Sequence, residues 1–292
     1  MNQRADHVGE LALRVLSRGG RARVTRVFPG AAYARSRDDF ILLLWGTLKS
    51  PMTINVHGTR GARDSLRVHE GLVLSEGELE SSAGKITVGG AAVHRGSLRA
   101  KRAVELPTAK GLAKCMSMLR SMYDVSPSGP LLVDDPSFRT FLKRHLVPYS
   151  MGEESGPLSW ESFEGLIGRG GGFTPAGDDF VSGFTAVLNF VARVRGTREL
   201  AMPKRLLLRR TVPESGAMVA CSAMGYVDED VERLILASLG AGGGAFNDEL
   251  LAVAPRGHTS GADTALGVLL CDAALAERER RDGTMELCLA AL

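Results

Sequence analysis

The chain has 292 residues, enough for two cores, and its 44% hydrophobic and 24% charged composition argues against general disorder. Thirty-six basic residues against 33 acidic ones leave a formal charge of +3 with no long single-sign block, which is weak support for a nucleic-acid surface and licenses only a modest preference for small anions. Four cysteines without CxxC spacing exclude a zinc ribbon and a disulfide framework. The charged N-terminus lacks the apolar segment of a signal peptide. The longest apolar run, Phe40 to Trp45, falls far short of a membrane span, so the cytoplasm is the expected compartment.

Val8, Leu11, Val15 and Leu16 recur at helical spacing between Asp6 and Arg18, and Gly19-Gly20 ends the pattern, so a helix is predicted to open the chain. From Ala22 to about Glu105 the texture changes to short β-prone runs, ARVTRVF, FILLLWG, MTINVH, GLVLSE and KITVGG, separated by turn residues as in a small sheet or barrel. After Pro107 the period becomes helical over Ala109–Tyr123, Ser137–Leu146 and Ser159–Ile167, with SPSGP at 126–130 as a loop and 148–156 as a linker. Further helices are marked by Phe180, Phe184, Val187, Val191 and Val194, by Val231, Leu234, Ile235 and Leu239, and by Ala262, Leu266, Leu269, Leu270 and Ala273. The expected fold is α+β, a mixed α/β class: a mainly β N-terminal lobe over 1–147 with an opening helix, and a helix-rich lobe over 157–292.

Two segments of the second lobe carry the chemistry. In GRGGGFTPAGDDFVSGF, Gly168 to Phe184, a glycine-rich loop precedes an apolar helix that starts at Thr174 or just after Gly177. Asp178 and Asp179 fall near its N-terminus. Capping accounts for one of these acids; two side by side behind an ordered glycine loop point to a ligand or metal, with the main-chain N–H groups free for close approach. No Lys-Ser/Thr pair follows, so the loop is not a P-loop. In PRGHTSGADTALGVLL, Pro255 to Leu270, Ser260 and Asp263 stand in capping-box relation, leaving His258 and Thr259 for an anion, a metal or a proton relay. Converging helix starts would form an anion or metal-anion pocket. A third segment, TVPESGAMV, offers Ser215 as an N-cap. GAGGGA at 240–245 satisfies a dinucleotide fingerprint formally, but the helical spacing of VERLILASL before it argues against a dinucleotide-binding oxidoreductase.

Taken in order, these three segments resemble the signature elements of a bacterial and archaeal family that includes AllH, a subunit of oxamate carbamoyltransferase in anaerobic allantoin degradation. The elements are G-x-G-x-G-[LF]-T-P-[SA]-G-D-D, T-x-x-x-S and G-H-[ST]-S-G-x-D. Phe173 and Ala176 stand where the family usually has leucine and serine. The resemblance covers about Gly168 to Leu270 and implies a part in carbamoyl transfer between carbamoyl phosphate and a small carboxylate such as oxamate, within a multi-subunit assembly in purine and allantoin catabolism. A non-catalytic structural subunit of such an assembly is the alternative. The implied catalytic candidates are Asp178, Asp179 and His258. Gly170, Gly172, Thr174, Gly177, Ser215, Thr259, Ser260 and Asp263 are expected to bind the small anionic substrate, and Asp178 and Asp179 are the candidates for holding Mg²⁺.

Overall fold

The computed structural model describes residues 2–57, 66–82, 84–99, 103–124, 132–152 and 157–292. It divides the chain into two compact units, Met1–Ser97 with Tyr226–Glu229, and Leu98–Gly225 with Asp230–Leu292. A mainly β unit and a helix-rich unit make the molecule α+β, as the change of period after Pro107 implies.

Among the described residues the first unit has nine strands: β1 (Asn2–Gly9), β2 (Gly20–Phe28), β3 (Ala31–Ser36), β4 (Asp39–Leu44), β5 (Thr53–Val56), β6 (Gly71–Ser75), β7 (Glu78–Ser81), β8 (Gly84–Thr87) and β9 (Ala92–His94). Their order is β5-β4-β3-β2-β6-β7-β8-β1, and β1 also pairs antiparallel with β5, which closes an eight-stranded barrel; β9 runs parallel to β1 at His7–Gly9. Alternation sends Ala22, Val24, Ala32, Ala34, Leu72 and Leu74 into a core shared with Ile41, Leu43 and Ile54.

The chain opens with β1 rather than the expected helix. The spacing of Val8, Leu11 and Val15 spans two elements, because α1 (Glu10–Ser17) begins only after Gly9. NQRADHVG has little intrinsic strand preference, but pairing with β5, β8 and β9 overrides that. The turn into α1 is tight: the Leu11 and Ala12 N–H groups donate to the Pro51 carbonyl at 2.9 and 3.0 Å, and a Cβ on Gly9 would lie 2.2 Å from that oxygen.

In the second unit α6 (Ala176–Val194) and α11 (Ser260–Arg280) form the central helix pair. Both are buried on most sides, as helices at the middle of a bundle must be. Their axes approach closely because each places a glycine against the other's backbone: a Cβ on Gly183 would stand 2.1 Å from the Thr264 carbonyl oxygen, and one on Gly267 2.1 Å from that of Phe180. Around them lie α2 (Ala109–Asp124), α3 (Pro136–Phe141), α4 (Val147–Ser150), α5 (Trp160–Phe163), α7 (Lys204–Arg210), α8 (Pro213–Ala223), α9 (Glu229–Ser238), α10 (Phe246–Val253) and α12 (Thr284–Ala291).

The boundary between units falls at Ser97/Leu98, fifty residues before the position near 147 expected from the sequence. The reason is packing. Helix α2 lies against α11 and α12, α4 lies against α11, and Phe138 and Phe141 of α3 join Phe163, Phe180 and Phe184 in one aromatic cluster with ring centroids 5.1–6.0 Å apart. The expected linker begins inside α4, whose Ser150 is fully buried, while its last part, 153–156, and the SPSGP loop lie outside the described residues. Gly240 follows helix α9, not a strand, so the GAGGGA loop lacks the context of a dinucleotide site. Among the described residues no helix is long and apolar enough to cross a membrane.

Candidate functional site

The loop before α6 turns on glycines that only glycine suits: Gly168, Gly170 and Gly172 have φ of +77°, +96° and +91°. Helix α6 starts at Ala176 with Pro175 as its N-cap, so neither Thr174 nor Gly177 is the boundary. The Pro175 carbonyl accepts from both the Asp178 and Asp179 N–H groups at 2.9 and 3.1 Å. Helix α11 starts at Ser260 with Thr259 as its N-cap, and no side chain caps it, so the capping-box reading of Ser260 and Asp263 does not hold.

The Ser260 hydroxyl is engaged elsewhere. The Thr174 and Ser260 hydroxyls hydrogen-bond each other at 2.6 Å, which joins the starts of α6 and α11. The convergence of the two motifs, an expectation of the sequence, is therefore a feature of the fold.

The two neighbouring aspartates diverge. Asp178 accepts three hydrogen bonds: its Oδ1 accepts from the Gly168 N–H at 2.7 Å, and its Oδ2 accepts from the Thr211 hydroxyl at 2.5 Å and the Ser215 hydroxyl at 2.6 Å. It ties the glycine loop, α6 and the start of α8 together. Burial raises its carboxyl above the ordinary value, and the Ser215, Thr211 and Gly168 donors pull it part of the way back. Ser215 lies within the first turn of α8, where Val212 is the N-cap, so its hydroxyl serves Asp178 instead of the helix end. Thr211 is the partner that the sequence reading did not single out; its place in the T-x-x-x-S element was the only signal.

Asp179 is 6% exposed and its Oδ2 has no hydrogen-bond partner. Burial drives its carboxyl well above the usual range; the Ser260 and Thr174 hydroxyls oppose this, and the Asp263 charge adds to it. Asp263 is fully buried, and neither of its carboxyl oxygens makes a hydrogen bond of ordinary geometry. Burial pushes it up to about 7, although the Thr259 hydroxyl and the Leu132 main chain lie near enough to offset part of the cost. The centre of the site is thus a pair of buried carboxyls under a layer of half-buried hydroxyls.

The other expected residues lie at its edge. Gly170, Gly172 and His258 are exposed and Thr259 is half-buried, while Gly177 is buried against the Leu166 carbonyl. No group of three or more His, Cys, Asp or Glu side chains among the described residues is arranged to hold a metal ion. The three donors on Asp178 leave it little capacity for Mg²⁺.

These burials carry a pH signature. A carboxyl raised to about 7 in the fold and ordinary, near 4, in the unfolded chain binds more protons when folded, so its contribution to stability is complete below about pH 4 and is lost as pH rises through about 7. Asp272, fully buried in α11 with both oxygens unpartnered, is also raised to about 7 by burial and adds the same sign. The unfolding midpoint of Asp263→Asn/Asp272→Asn, measured between pH 5 and 8, should gain on the wild type as pH rises to about 7 and level off above it. Parallel curves would show that the two carboxyls titrate normally.

Residues 166–271 match the sequence model of the family described as oxamate carbamoyltransferase subunit AllH. The matched stretch contains both glycine loops, both helix starts and the Thr211–Ser215 element, and it supports the family resemblance carried by those motifs. No curated protein and no solved structure gives a significant match.

Proposed function

We propose that this chain is an AllH-like subunit of a carbamoyltransferase, binding carbamoyl phosphate and a small carboxylate such as oxamate where α6 and α11 start. The observation that carries the reading is the Thr174–Ser260 bond at 2.6 Å, which makes one site of two motifs that both lie within the family match. Carbamoyl transfer needs donors for the phosphate and for the developing oxyanion, and buried acceptors to orient the amide. The exposed glycines at 170–172 offer main-chain N–H groups for the first task, and Asp179 with Asp263 offers carboxyl oxygens for the second. His258, exposed beside the α11 start, is the candidate for proton transfer at the mouth. Asp178 positions the loop.

Calorimetric titration with carbamoyl phosphate, with and without Mg²⁺, tests this for the pure chain and again with the other subunits of the assembly. Binding that is lost in Asp179→Asn and kept in an exposed variant outside the family match such as Arg139→Ala is the expected result. If carbamoyl phosphate does not bind in any of these settings, the proposal fails.

A further inference from the structure

The two helix starts are copies of one design. In the first, the Arg169 N–H donates to the Leu166 carbonyl at 3.0 Å and the Gly177 N–H to the Arg169 carbonyl at 2.9 Å. In the second, the Arg256 N–H donates to the Val253 carbonyl at 3.0 Å and the Gly261 N–H to the Arg256 carbonyl at 3.0 Å. A Cβ on Gly177 would lie 1.9 Å from the Leu166 oxygen, and one on Gly261 2.0 Å from the Val253 oxygen. Counting on from either glycine, an aspartate follows at the second position, Asp179 or Asp263. At the sixth a glycine, Gly183 or Gly267, rests on the other helix's carbonyl. The reciprocal contacts, Gly183 on Thr264 and Gly267 on Phe180, relate α6 and α11 by an approximate two-fold axis, and the same operation exchanges Asp179 with Asp263.

Resting on the carbamoyltransferase reading, we infer that Asp179 and Asp263 together hold the NH₂ group of an amide-bearing ligand, one carboxyl accepting each N–H. Three facts lead there. Asp179 Oδ2 and both oxygens of Asp263 are buried acceptors without partners, and leaving such groups unmet is costly unless a ligand supplies donors. No lysine, arginine or histidine among the described residues pairs with either acid. A phosphate or carboxylate carries no N–H to offer these acceptors. An NH₂ group carries two donors, and two symmetry-related acceptors match it. The ligand is thereby oriented, its amide end between the carboxyls and its anionic end toward the exposed loop at 170–172. It reaches the pair by exchanging the Thr174–Ser260 hydrogen bond, since these half-buried hydroxyls and that of Thr259 border the carboxyls.

Oxamate and pyruvate have the same shape and charge and differ by NH₂ against CH₃, so the pair isolates this contact. A site built to accept from an N–H discriminates strongly against an analogue lacking it, and wild type should bind oxamate at least about tenfold more tightly than pyruvate. Titrations use the full chain alone and with its partner subunits, alongside carbamoyl phosphate as a reference ligand. Asp263→Leu, which keeps the branched shape and removes both acceptors, should bring the ratio below about threefold. Asp263→Asn, which retains one acceptor, should lie between and serves if the leucine variant does not fold. An unchanged ratio in the folded variants, or equal binding of the two ligands by wild type while carbamoyl phosphate still binds, overturns this inference and leaves the carbamoyltransferase reading in place. Binding of none of the three ligands overturns both.

Discussion

Gly267→Val should separate α6 from α11 and cost the second unit at least about 3 kcal/mol, enough to show as a collapse of the unfolding midpoint or of soluble expression. The built Cβ stands 2.1 Å from the Phe180 carbonyl oxygen and 2.8 Å from the Phe184 nitrogen. Neither neighbour is the flexible end of a side chain; both belong to a buried helix backbone, so relief requires moving a whole helix. Gly183→Val meets the Thr264 carbonyl at the same 2.1 Å and should match it in effect. Gly165→Ala is the control, since a Cβ there meets nothing within 4 Å. A midpoint within about 2 °C of wild type for Gly267→Val would mean that the helices pack more loosely than these distances state.

Asp178→Ala should cost about 3–4 kcal/mol, because it strands the buried Ser215 donor and the half-buried donors of Gly168 and Thr211 together. Helix capping alone predicts about 1 kcal/mol and little loss on change to asparagine. The structure predicts otherwise for Asp178→Asn. Hydroxyls can rotate but the Gly168 N–H cannot, and an amide NH₂ must face one group of donors, so about 1–3 kcal/mol should be lost. Asp179→Asn, by contrast, removes a poorly satisfied buried carboxyl and should leave stability unchanged or raised at pH 8. Thermal unfolding of the three variants at pH 8 separates the roles. Equal losses in Asp178→Asn and Asp179→Asn would refute the division between a positioning acid and a ligand-facing one.

What the amino-acid order determined by itself was local. The shift from short β-prone runs to helical spacing after Pro107 located the change of architecture. GRGGGFTPAGDD and GHTSGAD marked the candidate site, because left-handed turns demand glycine and helix starts favour acids and hydroxyls, whatever the rest of the chain does. Everything that depends on distant partners was decided by tertiary structure. NQRADHVG is a strand only because β5, β8 and β9 flank it. Residues 98–147 join the helical unit because α2 and α4 pack on α11 and the phenylalanines of α3 meet those of α6. Asp178 and Asp179 are adjacent and chemically identical in the sequence. Successive residues on a helix point about 100° apart, so one meets Thr211 and Ser215 from α8 and its approach while the other meets Asp263 from α11. Which carboxylate accepts three hydrogen bonds and which keeps an oxygen without a partner is a property of those neighbours, and no local pattern encodes it.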